Sequence, residues 1–281
     1  MNVMTRLLVA FDAGSVSGAT VRRTLGGWRV RRFARAPLPE GALTPAPLEA
    51  NVVQTEAVHE ALARVAQGLD AAGFAATLVL PAGLSRILLL QPPRGVDVQE
   101  FARFRLAASL PYAASEAVVD VLPTGAGRIL AAAVRRRIVE EYEAAAAAAG
   151  LARGRVDLAP FAALQALLRD APGRGAAVDV ILGDVATDLA ASAQGTLRLY
   201  RSRRRDPGPD EAERLRAEVE RTAVLAGDGA APLVRVVGTG ARTLIGHLLE
   251  AGVRAEAGWS TAVAGLPLDA AEMAWLGATV A

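Results

Sequence analysis

The chain has 281 residues, of which 52% are hydrophobic, so it can bury the core of two compact units or of one large one. It has no cysteine and only two histidines, His59 and His247, far apart in sequence; this excludes thiol chemistry and argues against a histidine metal site. All 31 basic residues are arginine, and the net charge of +2 shows no large basic excess.

The apolar runs of the chain are short. The first of them, Leu7 to Phe11, meets Asp12 at once and is too short for a signal sequence or a membrane span. The runs Thr77 to Pro81 and Ile87 to Leu90 have the length of strands. We therefore expect no membrane segment and a cytoplasmic protein.

The segment from Leu7 to Arg23 predicts a buried strand, a tight turn and a returning strand. We expect Gly14 to take a positive φ in that turn. Such a turn exposes backbone NH groups and the hydroxyls of Ser15 and Ser17 beside the carboxylate of Asp12, a place to hold a phosphate and its metal ion. The same pattern is also typical of an ordinary turn.

The rest of the first half mixes strands and helices. Trp28 to Ala36 completes a three-strand meander, and the prolines of Pro37 to Pro47 exclude a continuous helix there. The spacing of apolar residues and the positions of glycine and proline then predict the remaining elements. The predicted helices are Thr55 to Gly73, Val98 to Leu110, Arg135 to Ala149 and Pro160 to Leu168. The predicted strands are Thr77 to Pro81, Arg86 to Gln91, Val118 to Leu122, Ile129 to Val134 and Val156 to Leu158.

The second half repeats the opening plan. The strand Val178 to Leu182 leads to Asp184, and Leu189 to Ala193 and Thr196 to Arg201 follow as strands on either side of a Gln-Gly turn. This internal echo of strand, acid, small turn and strand is more specific than either copy alone.

A glycine turn follows in the second half. After a helix from Asp210 to Leu225, the strand Leu233 to Val237 runs into Gly238-Thr239-Gly240 and a helix from Leu244 to Ala251. Such a turn suits close contact with a ribose or a phosphate, although any turn from strand to helix can require glycine. The tail, Ala270 to Val280, predicts a final helix.

These segments together resemble the PilM family, the actin-like, FtsA-related proteins of type IV pilus and related secretion machines. The matching segments are Asp12-Ala13-Gly14-Ser15, GGWRVRRFARAPLPEGAL, LVLPAGLSRILLLQPP and ILAAAVRRRIVEEYEAAAAAAGL. The resemblance implies a mixed α/β protein of the actin/hexokinase-type ATPase fold. It also implies lobes at 1–172 and 173–281, each with a mixed sheet, the second lobe shortened, and a small inserted βα subdomain at about 37–123.

The family's nucleotide motifs are only partly kept. Its first phosphate loop reads Asp-Ile-Gly-Ser-Ser-Ser-x-Lys, and here Ala19 stands at the lysine position. Its second loop reads Asp-Ile-Gly, and Ala186 replaces that glycine. We therefore expect ATP binding to be weakened or lost, and hydrolysis more so, with no catalytic residue assigned.

ATP and Mg²⁺ remain the candidate cofactors that the resemblance implies. The residues that match its motifs, and so would bind nucleotide, are Asp12, Gly14, Ser15, Ser17, Asp184, Thr187, Gly238 and Gly240. Asp12 and Asp184 would hold the Mg²⁺ through the nucleotide. These two acids and Asp188 can equally cap turns, and for Asp188 we favour the structural role.

The run Arg201 to Arg205 is an obvious cationic patch. It could meet phosphates of nucleic acid or of anionic lipid, but it lacks interleaved aromatic residues. We therefore predict a solvated loop and expect no nucleic acid partner.

The resemblance implies a scaffold rather than an enzyme. PilM-type proteins bind the cytoplasmic N-terminal tail of a single-span inner-membrane partner, in a groove between the first lobe and the insert. Its walls here would be 80–90 and 101–110, with Leu88, Phe101 and Phe104 as partner-binding residues. A pilus motor ATPase is a further candidate partner, and the location would be the inner face of the inner membrane.

Two alternatives stay open. One is an active ATPase or kinase of the same fold, which needs an intact nucleotide cleft and a catalytic acid. The other is a GspL-type cytoplasmic subunit of a secretion platform. That type normally continues into a membrane span, so this chain would be a split or truncated version of it.

Overall fold

A computed structural model describes residues 5–25, 27–70, 74–169, 175–206, 208–226, 232–258 and 263–264. The described strands are β1 (Thr5–Asp12), β2 (Ser15–Thr24), β3 (Gly27–Pro37), β4 (Ala75–Leu80), β5 (Arg86–Leu90), β6 (Ala117–Pro123), β7 (Ile129–Arg135), β8 (Ala152–Leu158), β9 (Ala177–Leu182), β10 (Ala186–Ala193), β11 (Thr196–Arg204), β12 (Leu233–Gly238), β13 (Ala255–Ala257) and β14 (Val263–Ala264). The described helices are α1 (Thr55–Leu69), α2 (Val98–Ala107), α3 (Arg136–Ala148), α4 (Ala159–Arg169), α5 (Glu211–Ala226) and α6 (Ala241–Glu250). None of these described helices combines the length and the apolar character that a membrane crossing requires.

Two large sheets share one strand plan. In the first, the order is β14-β3-β2-β1-β4-β8, and in the second it is β11-β10-β9-β12-β13. Each begins with a three-strand antiparallel meander, and its first strand then pairs in parallel with a later strand. The topology therefore confirms the internal echo that the sequence predicts.

A third sheet, β5-β7-β6, is antiparallel and stands apart from the other two. Helix α2 packs on it through Ala102 and Leu106, which share a core with Leu90, Ile129 and Ala131. Helix α1 packs instead on the first sheet, to which β4 also belongs. The lobe limits and the extent of the insert at 37–123 stay predictions.

Helix α1 lies directly on β2 because of Gly18. A Cβ at Gly18 would stand 2.7 Å from both Leu69 Cδ1 and Val65 Cγ1. Val58, Leu62, Val65 and Leu69, the residues whose spacing predicts this helix, are all buried. The missing side chain thus lets the apolar face of the helix close over the sheet.

The second sheet contains a buried ion pair. Arg235 Nε and Nη2 donate to Asp179 Oδ1 and Oδ2 at 2.6 and 2.9 Å, across neighbouring strands β12 and β9. Arg235 Nη1 also donates to the carbonyl of Leu167 on α4 at 2.9 Å. Both charged residues are almost fully buried, so the pair ties two strands and a helix together.

The third sheet touches the second large sheet. The turn between β6 and β7 reaches β11, where Leu197 N donates to Thr124 O at 3.2 Å. Arg128 Nη1 donates to Leu197 O at 3.2 Å. The third sheet is therefore hydrogen-bonded to the edge strand of the second large sheet.

Some predicted boundaries change. The arginine run from Arg201 is not a solvated loop, because β11 continues to Arg204. The physical reason is that the carboxylate of Glu218 on α5 forms ion pairs with Arg201 and Arg203. These ion pairs hold the strand against the helix. The predicted stop at Gly73 and the predicted helix from Ala270 to Val280 lie outside the described residues.

Candidate functional site

Three chain turns meet at one cleft between the two large sheets. Asp12 at the end of β1, Gly183 after β9 and Thr239 after β12 line a cavity of about 30 Å³, together with Ala82 and Pro160. A cavity of this size has room for about two water molecules. It is far smaller than the sites of about 300–1,000 Å³ that hold drug-sized ligands.

The charge of Asp184, next to Gly183 in the second turn, acts on Asp12 in the first. Burial raises the pKa of Asp12 to about 7, the negative charge of Asp184 adds to the rise, and Arg35 opposes it. The structure therefore brings together the two acids that were expected to hold Mg²⁺. Among the described residues, no group of three or more acidic or histidine side chains is arranged to hold a metal ion on its own.

The first turn differs from its prediction at Gly14. Asp12 pairs with Ser15, which leaves a two-residue turn of Ala13 and Gly14, and neither has a positive φ. The expectation of a left-handed Gly14 is wrong, because this turn closes without that conformation. A Cβ at Gly14 would meet no atom within 4 Å, so the space in front of the turn is open.

Arg35 is a cation that the sequence reasoning missed. Its Nε donates to Ser15 Oγ at 3.2 Å, and it pairs with Ser17 across β3 and β2. Directly paired residues share a sheet face, so Arg35 stands on the face of Ser15, Ser17 and Ala19. A positive charge is therefore present here although position 19 is alanine, and only the register of β2 with β3 reveals it.

The second turn is closed by Arg205. Its Nη1 donates to Gly183 O at 2.9 Å, and its Nε and Nη2 bond Glu211 on α5 at 2.5 and 3.3 Å. A Cβ at Gly240 would lie 3.4 Å from Arg205 Nη2. The Arg205 guanidinium therefore lies between the second turn and the turn before α6. The sequence motif predicts that the adenosine of a nucleotide would bind at this place.

Two residues that were predicted to bind the cofactor, Gly238 and Thr187, have structural surroundings instead. Gly238 has φ 100°, and a Cβ there would lie 2.0 Å from Leu182 O, so its glycine permits the close approach of β12 to β9. Thr187 is buried and lies two residues before Leu189, which packs in the core with α5. Its side chain is therefore on the sheet face away from the cleft.

Asp188 is a structural carboxylate. It is buried within β10, and its Oδ1 accepts a hydrogen bond of 2.6 Å from the Tyr200 hydroxyl. Burial raises its pKa to about 6, while hydrogen bonds from Tyr200 and Ser202 oppose the rise.

The three predicted partner-binding residues differ in exposure. Leu88 and Phe101 are partly buried and pack against the core of the third sheet. Arg105 stands over the Phe101 ring, 6.0 Å from its centroid. Phe104 is 77% exposed on α2, so it alone of the three offers a large free apolar surface.

A cavity of about 280 Å³ lies beside α2, and two of its lining residues, Arg103 and Leu110, belong to the predicted groove wall 101–110. Its lining combines apolar side chains with two arginines: Arg103, Leu110, Ala114, Ser115, Ala117, Val119 and Arg136. Arg103 comes from α2 and Arg136 from the start of α3. The site can therefore take an apolar group that carries a polar or acidic neighbour.

No protein-family model and no curated protein matches this chain. Among solved structures, a chain of a PilM-PilN type IV pilus biogenesis complex is similar over 99% of this chain and 98% of its own, with a TM-score of 0.77 and 18% identity. This chain has the actin-like ATPase fold. A Bacteroides thetaiotaomicron protein of that fold and unknown function is similar over 97% and 95%, with a TM-score of 0.59 and 10% identity. The cytoplasmic domain of EpsL from the Vibrio cholerae type II secretion system is similar over 99% and 96%, with a TM-score of 0.55 and 12% identity.

Within this actin-like fold, the cleft offers carboxylates but little space. His59 lies on α1 and His247 on α6, and neither lines the cleft cavity. Asp12 and Asp184 supply oxygen ligands that suit Mg²⁺, provided that a nucleotide supplies the remaining ones. These two acids and the small cavity are what the described residues offer at this cleft.

Proposed function

We propose that this chain is a PilM-like scaffold of a type IV pilus or related secretion platform, acting in the cytoplasm at the inner membrane. It binds the N-terminal cytoplasmic tail of a single-span membrane partner. The observation that carries the proposal is the end-to-end likeness to a chain of the PilM-PilN complex.

The tail docks along α2. Phe104 supplies an exposed aromatic anchor, and the neighbouring cavity of about 280 Å³ accepts a side chain of the tail. Arg103 and Arg136 at that cavity favour a tail with an acidic or polar group beside its apolar residues. An extended or helical peptide can use this combination of anchor and pocket.

The nucleotide site of this scaffold is degenerate. The cleft cavity of about 30 Å³ and the Arg205 side chain beside Gly240 both support this part of the proposal. Ala19 and Ala186 replace the residues that the family's phosphate loops carry.

The test is calorimetric titration of the full chain with a peptide that copies the N-terminal tail of its PilN-like partner. Phe104→Ala should weaken binding by about thirtyfold, since loss of an anchor residue costs about 2 kcal/mol. Phe74→Ala is the matched control, because Phe74 is also exposed, at 48%, but lies immediately before β4 of the first sheet. Equal affinity of the Phe104 variant and the wild type would contradict this docking site.

The nucleotide part has a separate readout. We expect no rise in melting temperature with millimolar Mg-ATP, because a ligand that does not bind the folded chain cannot stabilise it. A clear rise would overturn the degenerate site and favour the active ATPase or kinase.

A GspL-type platform subunit is the second candidate, and the likeness to the EpsL cytoplasmic domain favours it. The two candidates differ in the machine they serve. Capture of a secretion motor ATPase without binding of the pilus tail peptide would favour this second candidate.

A further inference from the structure

A second cavity, of about 140 Å³, lies on the outer face of the second sheet. It opens between β10, the end of β11 and the first two turns of α5, away from the cleft. Its lining is Thr187, Leu189, Arg203, Arg204, Arg205, Asp206, Glu211, Arg214, Leu215 and Glu218. Of the residues that match the nucleotide motifs it contains Thr187 alone, and the docking surface on α2 does not account for it.

Thr187 gives this cavity an unused donor. The residue is only 3% exposed, and its hydroxyl has no hydrogen-bond partner among the described residues. It pairs directly with Arg203 across β10 and β11, so the two side chains share the face that lines the cavity. A buried hydroxyl without a partner is unfavourable, and a ligand that accepts a hydrogen bond from it would remove that cost.

The cavity is also positively charged. Its three carboxylates are already neutralised, each by its own arginines: Glu218 by Arg201, Arg203 and Arg221, Glu211 by Arg205, and Asp206 by Arg214. Arg204 makes no ion pair with any residue that the structure describes. The lining itself carries four arginines and three acids, a net charge of +1, and Arg201 and Arg221 add positive charge next to Glu218; this balance attracts an anion.

We propose that this cavity binds a phosphate group. The Thr187 hydroxyl donates to one phosphate oxygen, and Arg204, which also lines the cavity, supplies a guanidinium for the others. The group can come from a free phosphate or from the headgroup of an anionic phospholipid, which presents the same chemistry. This inference does not rest on the proposed docking function of α2.

The first experiment titrates inorganic phosphate into the full chain at constant ionic strength, with chloride as the balancing anion. Thr187→Val removes the hydroxyl and keeps the shape of the side chain, and Arg204→Gln removes the charge. Each should weaken phosphate binding by about tenfold, since a hydrogen bond to a charged group is worth about that factor. Arg64→Gln, at an exposed arginine on α1, is the matched control and should leave binding unchanged.

A vesicle arm separates the two sources. Flotation with phosphatidylglycerol and with phosphatidylcholine vesicles assigns the lipid headgroup if only the anionic vesicles retain the chain and Thr187→Val abolishes the retention. Phosphate binding that depends on both residues, without vesicle retention, assigns the free ion. Binding that neither variant weakens, or no binding in either arm, overturns the proposal. Because Thr187→Val removes an unpartnered buried hydroxyl, its melting temperature should be equal to or above that of the wild type, so loss of folding cannot imitate the result.

Discussion

The two large sheets have the same strand plan but different interiors. In the first sheet, the paired positions of β1 and β4 run from Leu7–Ala76 to Ala10–Val79, and none of them is charged. In the second, the equivalent parallel pair of strands contains the buried Asp179 and Arg235. Strand pairing and apolar burial therefore produce the shared strand order. The ion pair is an addition in the second sheet, where it joins β9, β12 and α4.

The two turns at the cleft also differ in whether a charged side chain closes them. The first turn has open space in front of Gly14, while the second is closed by Arg205, which bonds Gly183 and Glu211. Asp12 ends its strand and pairs with Ser15, whereas Asp184 lies within its turn. The second turn therefore has one of the chain's own side chains where the first turn has open space.

The largest expected effect on stability comes from removing the buried ion pair, which makes the interior of the second sheet more like that of the first. Arg235→Met alone should lower the free energy of unfolding by about 3–5 kcal/mol, because it leaves the Asp179 carboxylate buried without its partner. Adding Asp179→Leu should restore most of that loss. Urea unfolding of the two variants measures both effects, and a double variant no more stable than Arg235→Met would contradict this account.

The next effect concerns Gly238 at the end of β12. Gly238→Ala should lower the free energy of unfolding by about 2–3 kcal/mol, since a methyl would meet Leu182 O and the residue has a left-handed backbone. Thermal unfolding checks it. A variant as stable as the wild type would mean that the two strands separate at little cost.

A smaller effect depends on pH through Asp12. Its pKa of about 7 in the folded chain exceeds its ordinary value of 3.8, so the folded state keeps a proton that the unfolded state has lost. Stability should therefore fall as the pH rises from about 4 to about 7, by about 1–2 kcal/mol because the carboxylate is partly exposed.

Asp12→Asn should remove this slope and raise the melting temperature at pH 8 but not at pH 4. Asp184→Asn is the matched comparison, since it removes the neighbouring charge that adds to the rise and should only reduce the slope. An unchanged slope in the Asp12 variant would assign the pH dependence to other groups.

The smallest expected effect on stability tests whether the first turn at the cleft needs a glycine at position 14. Gly14→Ala should raise the free energy of unfolding by about 0.4–1 kcal/mol, because the backbone does not need glycine and the unfolded chain loses freedom. A calorimetric melting curve measures it. Destabilisation would show that the first turn needs glycine after all.

Local patterns in the sequence predicted the frame well. The spacing of Val58, Leu62, Val65 and Leu69 indicated α1, and the repeated strand, acid and turn indicated two related sheets. These features depend on residues near one another in the chain, so a sequence pattern records them.

Contacts between distant segments were out of reach. The pairing of Arg35 with Ser17 needs the register of β2 with β3, and Asp179 meets Arg235 across 56 residues of sequence. The arginine run was assigned to a loop because nothing local shows that Glu218 faces it. At the candidate site, the sequence found the acids Asp12 and Asp184 but not the arginines around them.

The bonds between Leu197 and the turn at Thr124 have a mechanical consequence. A force applied to α2 would load the third sheet, which is hydrogen-bonded to β11 of the second large sheet. Part of that load would then pass through the bonds at Leu197. Deuterium exchange of the Leu197 amide would measure how often these bonds open.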